Sequence, residues 1–195
     1  ILVTNDDGID APGLKVLEQV AAQLAHEVWV VAPRSDQSGT SHSISLHAPL
    51  RISPHGDKRF AVTGTPGDCV VMGVQHLLKD GKPDLILSGV NRGANLGMET
   101  VFSGTVGAAM TGMLLGIRSI GLSQAYSDQA NVPWQNALAH APKVIQDLLT
   151  MDWPSDVCLN VNFPDCAPEA IRPLKVTRQG LGPLNNVSVR TEVDP

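Results

Sequence analysis

The chain has 195 residues, with 14 Lys plus Arg against 19 Asp plus Glu and a formal net charge of -5, a balance that excludes a basic nucleic-acid binder. Apolar residues make up 43% and charged residues 17%, too apolar a mixture for a disordered chain. No window reaches the roughly 18 to 20 uninterrupted apolar residues of a membrane span; the stretch from Val106 to Ile120 is cut by Gly107, Gly112 and Gly116. The expectation is a soluble, cytoplasmic protein with no membrane partner.

Ile1 to Thr4 reads as the end of a buried strand, and Asn5-Asp6-Asp7-Gly8 as the turn that follows. From Pro12, the apolar residues Leu14, Leu17, Val20, Ala21 and Leu24 recur at helical spacing, with Pro12 suited to a first-turn position. Glu27 to Ala32 is a second strand, of the continuous apolar kind that both-face burial requires. Strand, helix, strand makes a right-handed βαβ unit. Pro33 to Ser45 is a polar loop rich in Ser, Gly and Thr, placed where functional loops follow strand ends.

Ser45 to Ser53 and Arg59 to Thr63 predict a β-hairpin extension, over about residues 45–64, turning at Pro54-His55-Gly56-Asp57. Thr65-Pro66-Gly67-Asp68 starts a helix, with Thr65 as N-cap and an acid at the third position, running to about Lys79. Asp84 to Ser88 is the third core strand and ends in the glycine-rich loop Gly89 to Asn95. Ser103-Gly104-Thr105 opens a small-residue helix to about Leu115, and Arg118 to Ser123 is a fourth strand. Trp134 to Leu149 is helical, with Pro142 expected to kink or split it. Val157 to Phe163 is the fifth strand, followed by β segments at Ile171 to Val176 and Val187 to Val193. This alternation predicts an α/β protein with a doubly wound, mostly parallel sheet.

The polar clusters Asn5 to Gly8, Ser35 to Ser43 and Ser88 to Asn95 each follow a predicted strand, and Asn160 to Asn162 lies within the fifth; in an open parallel sheet the carboxyl ends of the strands share one edge, so these clusters should converge. Adjacent Asp6 and Asp7 repel each other unless a cation or hydrogen bonds relieve them. Oxygen donors from Asp, Ser and Asn suit a hard divalent cation such as Mg or Mn. Asp-Asp-Gly is equally a common turn sequence, and either Asp can cap the next helix. Ser103, Gly104 and Thr105 read either as a plain N-cap or as a phosphate site at a helix N-terminus. His42 reads as a solvated loop residue or as an acid or phosphate contact. Cys69, Cys158 and Cys166 lack metal-ligand spacing and fit a reducing compartment. The sequence contains no GxxxxGK[ST], GxGxxG or GxSxG, which removes support for NTPase, dinucleotide dehydrogenase and α/β-hydrolase readings.

The segments ILVTNDDG (Ile1 to Gly8), Ala11-Pro12-Gly13, Val31-Ala32-Pro33 leading into Ser38-Gly39, Gly64-Thr65-Pro66 with Asp68, Ser88-Gly89-Val90-Asn91 with Asn95, and Ser103-Gly104-Thr105-Val106 resemble the SurE family of stationary-phase survival proteins. The resemblance resumes at Leu159 to Pro164 and Val176 to Gly180. It implies a Rossmann-like catalytic domain over residues 1–180, with residues 181–195 the start of a β-rich C-terminal extension used in assembly as a homodimer or homotetramer. It implies one divalent metal cation per subunit (Mg, Mn or similar) on Asp6, Asp7, Ser38 and Asn91. Asp6 and Asp7 would be catalytic, and Asn5, Asn95, Ser103, Gly104 and Thr105 would hold the phosphate. The implied activity is metal-dependent hydrolysis of nucleoside 5'-monophosphates, with 3'-monophosphates and short polyphosphate as further substrates. A non-catalytic metal- or nucleotide-binding stress module is the alternative on the same pocket.

Overall fold

The structure, a computed structural model, describes residues 1–181 and residue 191. Its centre is a seven-stranded sheet in the order β3-β4-β2-β1-β5-β6-β7, and every neighbouring pair is parallel except β3 with β4. The strands are β1 (Leu2–Thr4), β2 (Trp29–Pro33), β3 (Ile52–Gly56), β4 (Arg59–Val62), β5 (Leu85–Arg92), β6 (Arg118–Gln124) and β7 (Leu159–Phe163).

Helices cover both faces, which is why the central strands are apolar on both sides. On one face α1 (Pro12–Leu24) packs with α4 (Trp134–Thr150) over Val3, Leu87, Ile120, Leu122 and Val161. On the other, α2 (Pro66–Met72) and α3 (Gly104–Leu114) pack together, and Leu2, Val31, Val62, Cys69, Val70 and Ile86 close a second core. The period of two along each strand therefore sends Leu2 and Thr4 toward the α2/α3 layer and Val3 toward α1. β1 leads to β2 on one side while β5 leads to β6 and β7 on the other, so the chain reverses its winding between β1 and β5. The carboxyl ends at such a reversal are where doubly wound folds place ligands.

A hairpin is present and joins the main sheet, with β4 pairing in parallel with β2 from Val30↔Arg59 to Pro33↔Val62, but its first strand starts only at Ile52, and residues 45–51, expected to belong to it, carry no strand. Its turn lies later than expected. Pro54 to Gly56 belong to β3, with a register irregularity between Pro54 and Gly56, and the chain reverses at Asp57-Lys58, where Lys58 has φ 50°. β3 is an edge strand, and an edge tolerates a proline that a central ladder would reject. The helix begun at Thr65 has the full reciprocal cap: Thr65 Oγ1 accepts from Asp68 N–H at 3.1 Å, and Asp68 Oδ2 accepts from Thr65 N–H at 2.9 Å. It stops as an α-helix at Met72 and continues as a π turn over Gly73–Leu77.

Gly89 to Arg92, read as loop, continue β5 through an irregularity between Ser88 and Asn91. Gly89 makes this possible: it has φ 140°, and a Cβ there would lie 2.2 Å from Leu122 O. Pro142 does not split α4, which runs unbroken through it. β7 starts at Leu159 rather than at Val157. Residues 171–181, where Ile171 to Val176 was expected to be β, carry neither helix nor strand; Gln179 reaches the 3-10 turn over Gly97–Phe102 that precedes α3, donating from Nε2 to Gly97 O at 2.9 Å and to Thr100 Oγ1 at 3.0 Å. The expected strand at Val187 to Val193 lies outside the described residues except for Thr191.

Candidate active site at the ends of β1 and β5

The turn after β1 is closed by the buried Asn5, whose Nδ2 donates to Gly8 O at 2.9 Å. Gly8 has φ 104°, and a Cβ on it would meet the Ser35 backbone at 3.2 Å, so the turn sits directly on the loop after β2. Two main-chain bonds hold that contact, Gln37 N–H to Asp6 O at 2.7 Å and Ile9 N–H to Pro33 O at 2.7 Å. The Ser35 to Ser43 loop is fastened at its far end as well. Ser41 N–H donates to Phe102 O at 3.1 Å, and Ser41 Oγ donates to Val101 O at 2.6 Å.

Asp6 continues the Leu2, Thr4 column and faces α3. Its Oδ1 accepts from Thr105 Oγ1 at 2.6 Å, and its side chain lies so close to Gly104 that a Cβ there would sit 2.8 Å from Asp6 Cβ. Burial pushes the Asp6 carboxyl up to about 6; the Thr105 hydroxyl opposes that shift and the Asp7 charge adds to it. Asp7 is half-buried on the other side of the turn, where its Oδ2 accepts from Arg92 N–H at 3.1 Å. Burial raises its carboxyl too, against the Arg92 N–H and charge, with Asp36 adding to the rise. Asp7, Asp36, Arg92 and Trp134 line a cavity of about 440 Å³ between the start of α1 and residues 129–132. Neither Arg92 as a lining residue nor this second loop stood out in the sequence, since both depend on which strands become neighbours.

Asn91 lies beside Arg92 at the end of β5, and its Nδ2 donates to Gly93 O at 2.8 Å, leaving the carbonyl oxygen as its free donor atom for a cation. Ser38 is exposed, and its N–H donates to Asp36 Oδ1 at 2.7 Å. Asp6 and Asp7 are thus tied directly to the segments that carry Ser38 and Asn91. Among the described residues no group of three or more His, Cys, Asp or Glu gathers as metal ligands. A cation here would be held by two carboxylates and by neutral oxygen atoms of a hydroxyl and an amide, a donor set that fits a hard divalent ion. Thr4 Oγ1, Asn5 Oδ1 and Ser88 Oγ, buried at the same strand ends, have no hydrogen-bond partner among the described residues and make the floor oxygen-rich.

Ser103 is the N-cap of α3, its Oγ accepting from Val106 N–H at 3.1 Å. The first-turn N–H groups of Gly104 and Thr105 have no partner inside the helix and point out of its end beside Asp6. Asn95 is buried and its Nδ2 donates to Ser123 Oγ at 2.8 Å. His42 stands apart from this group. Its Nε2 lies 3.0 Å from Thr111 Oγ1, and because that hydroxyl donates to Gly107 O, it accepts from the imidazole and anchors the loop to α3.

A sequence profile described as survival protein SurE matches residues 1–186. The chain is 64% identical over 195 residues to a protein of Burkholderia lata named 5'-nucleotidase SurE 1, covering 100% of this chain and 75% of that one. It is 57% identical over 182 residues to the 5'-nucleotidase SurE of Methylorubrum extorquens, covering 92% and 72%. The crystal structure of the SurE protein from Aquifex aeolicus superposes with a TM-score of 0.85 at 39% identity, covering 92% of this chain and 72% of that one.

Proposed function

The chain belongs to the SurE family, and on that premise we infer that it is a metal-dependent 5'-nucleotidase, a phosphomonoesterase that splits nucleoside 5'-monophosphates into nucleoside and phosphate. The observation that carries the reading is the meeting of the Asp6-Asp7 pair with the N-terminus of α3 through the Thr105 hydrogen bond. That contact sets two carboxylates, able to hold a cation, against main-chain N–H groups able to hold an anion. The non-catalytic module is not favoured, because the relatives that match across most of this chain are named as nucleotidases.

In this reading Asp6, Asp7, Ser38 and Asn91 hold one divalent cation. Bound there, the cation supplies a Lewis acid for the phosphoryl group and makes nearby water more acidic. Asp6, locked by Thr105, holds its end of the site rigid. Asp7, at the cavity edge, orients the attacking water and takes its proton as the new P–O bond forms. The ester bond to the nucleoside oxygen breaks, and that oxygen leaves to be protonated from solvent. The N–H groups of Gly104 and Thr105, the Ser103 hydroxyl and the Asn95 amide hold the phosphate and its growing charge, while Asn5 shapes the turn beneath it. A net charge of -5 is compatible with an anionic substrate because the local positive charge comes from the cation and the helix end.

The same proposal takes residues 1–180 as one catalytic domain and residues 181–195 as the start of an assembly extension, with a homodimer or homotetramer as the working form. It includes 3'-monophosphates and short polyphosphate as further substrates and a cytoplasmic location, which three unpaired cysteines support. No described helix is long and apolar enough to cross a membrane. The test is phosphate release from AMP, GMP, 3'-AMP and tripolyphosphate with Mg or Mn. Metal-dependent release from the 5'-monophosphates supports the function. Nucleotide binding without release under every metal would return the alternative.

A further inference from the structure

β7 alternates strictly, Leu159-Asn160-Val161-Asn162-Phe163, and the two halves of that pattern meet different surroundings. Val161 and Phe163 enter the core shared with α1 and α4, so Asn160 and Asn162 project from the opposite face. β7 is the sheet edge, and on that face the segment around Asn95 lies over it. Asn162 grips the main chain of Asn95 at both polar groups: its Oδ1 accepts from Asn95 N–H at 2.8 Å and its Nδ2 donates to Asn95 O at 3.1 Å. Asn160 Nδ2 donates to the same carbonyl at 2.9 Å. Ser123, the register partner of Asn162 on β6, takes one N–H of the Asn95 carboxamide at 2.8 Å. Among the described residues nothing takes the other N–H, which leaves it for an anion.

We propose that Asn162 is a positioning residue of the phosphate subsite: by clamping the Asn95 main chain it fixes where the Asn95 carboxamide meets the phosphoryl group. The proposal rests on the reading of Asn95 as a phosphate contact. A residue that merely pinned a loop would change stability. A clamp acting through Asn95 has a narrower signature, since its effect must vanish once the Asn95 side chain is gone.

The experiment is a double-mutant cycle of Asn162→Ala and Asn95→Ala on the full-length enzyme with Mn. It reads KM for AMP, inhibition by inorganic phosphate, the Mn activation constant and Tm. Each single variant is expected to raise KM and weaken phosphate inhibition by about tenfold, the worth of one hydrogen bond to a charged group, with the Mn constant unchanged. The double variant is expected to be no worse than Asn95→Ala alone. Asn160→Ala, which removes one of two donors to the Asn95 carbonyl, should show the same pattern more weakly, and provides the cycle if Asn162→Ala does not fold. Effects that multiply in the double variant, or an Asn162→Ala or Asn160→Ala enzyme that binds phosphate like the parent, overturn the clamp alone. An Asn95→Ala enzyme with unchanged KM and phosphate inhibition overturns both the clamp and the phosphate reading of Asn95.

Discussion

Thr105 Oγ1 donates a 2.6 Å hydrogen bond to Asp6 Oδ1 across 99 positions of sequence, joining the end of β1 to the first turn of α3. Both partners are buried, so the bond is made in a medium where an unpaired carboxylate is costly. Thr105→Val keeps the shape and removes the donor. A hydrogen bond to a charged group contributes roughly 1.5 to 3 kcal/mol, so kcat/KM should fall by about tenfold or more. Thr105→Ser should retain most activity, and steady-state kinetics with AMP compares the two.

The raised Asp6 carboxyl carries a stability cost with a definite sign. Its folded value of about 6 lies above the ordinary 3.8, so the folded state holds a proton more tightly than the unfolded one. The cation-free protein is therefore penalised above pH 6, and the penalty fades as pH falls through the window from about 6 to 3.8. Roughly two pH units correspond to about 3 kcal/mol at most. Asp6→Asn should melt higher than the parent at pH 7.5 in EDTA and close to it at pH 4, while losing turnover. Thermal denaturation at the two pH values checks this.

In the proposed site the cation binds the deprotonated Asp6, so the Mn activation constant should weaken as pH drops below about 6, by up to about tenfold per pH unit. Calorimetric titration in buffers of different ionisation enthalpy should show proton release on Mn binding near pH 6. Equal heats in all buffers would count against it.

Gly104→Ala places a Cβ 2.8 Å from Asp6 Cβ and 3.0 Å from Asp6 Oδ2. Alanine favours the helix by up to about 1 kcal/mol, so the damage should appear in function. A displaced reacting group costs about a hundredfold. Turnover should drop by that order while Tm moves only a few degrees.

The capping box at Thr65 gives a purely structural expectation. Thr65→Ala should cost about 1 kcal/mol. Asp68→Ala should cost more, because the Asp68 carboxylate also accepts from Ser45 N–H at 2.9 Å and from Ser45 Oγ at 2.7 Å. Denaturant melts rank the two.

Much of this architecture is legible in the sequence because the signals are local. Pro12, Thr65 and Ser103 mark helix starts by their chemistry, and the apolar runs mark strands buried on both faces. What escaped depends on tertiary contact. Gly89 to Arg92 looks like a loop because its glycines are read as turn formers, when Gly89 is there for the approach of Leu122 O. Pro54 looks like a turn residue because nothing local says that β3 is an edge. Asp6, Asp7 and Thr105 could be singled out by type, but their meeting follows from β1 lying beside β5 with α3 above them. The grip of Asn162 on Asn95 spans 67 positions and leaves as its trace only the polar half of an alternating strand.

In the proposed function everything turns on the Asp6-Asp7 pair, which would bind the cation on which phosphomonoester hydrolysis depends. The deciding experiment is Mn binding by electron paramagnetic resonance, measured with AMP turnover on the same samples of parent and Asp7→Asn protein. The parent is expected to bind Mn and release phosphate, and Asp7→Asn to lose both while melting, in EDTA, no lower than the parent. An Asp7→Asn protein that binds Mn and turns over AMP like the parent would overturn the assignment of the pair.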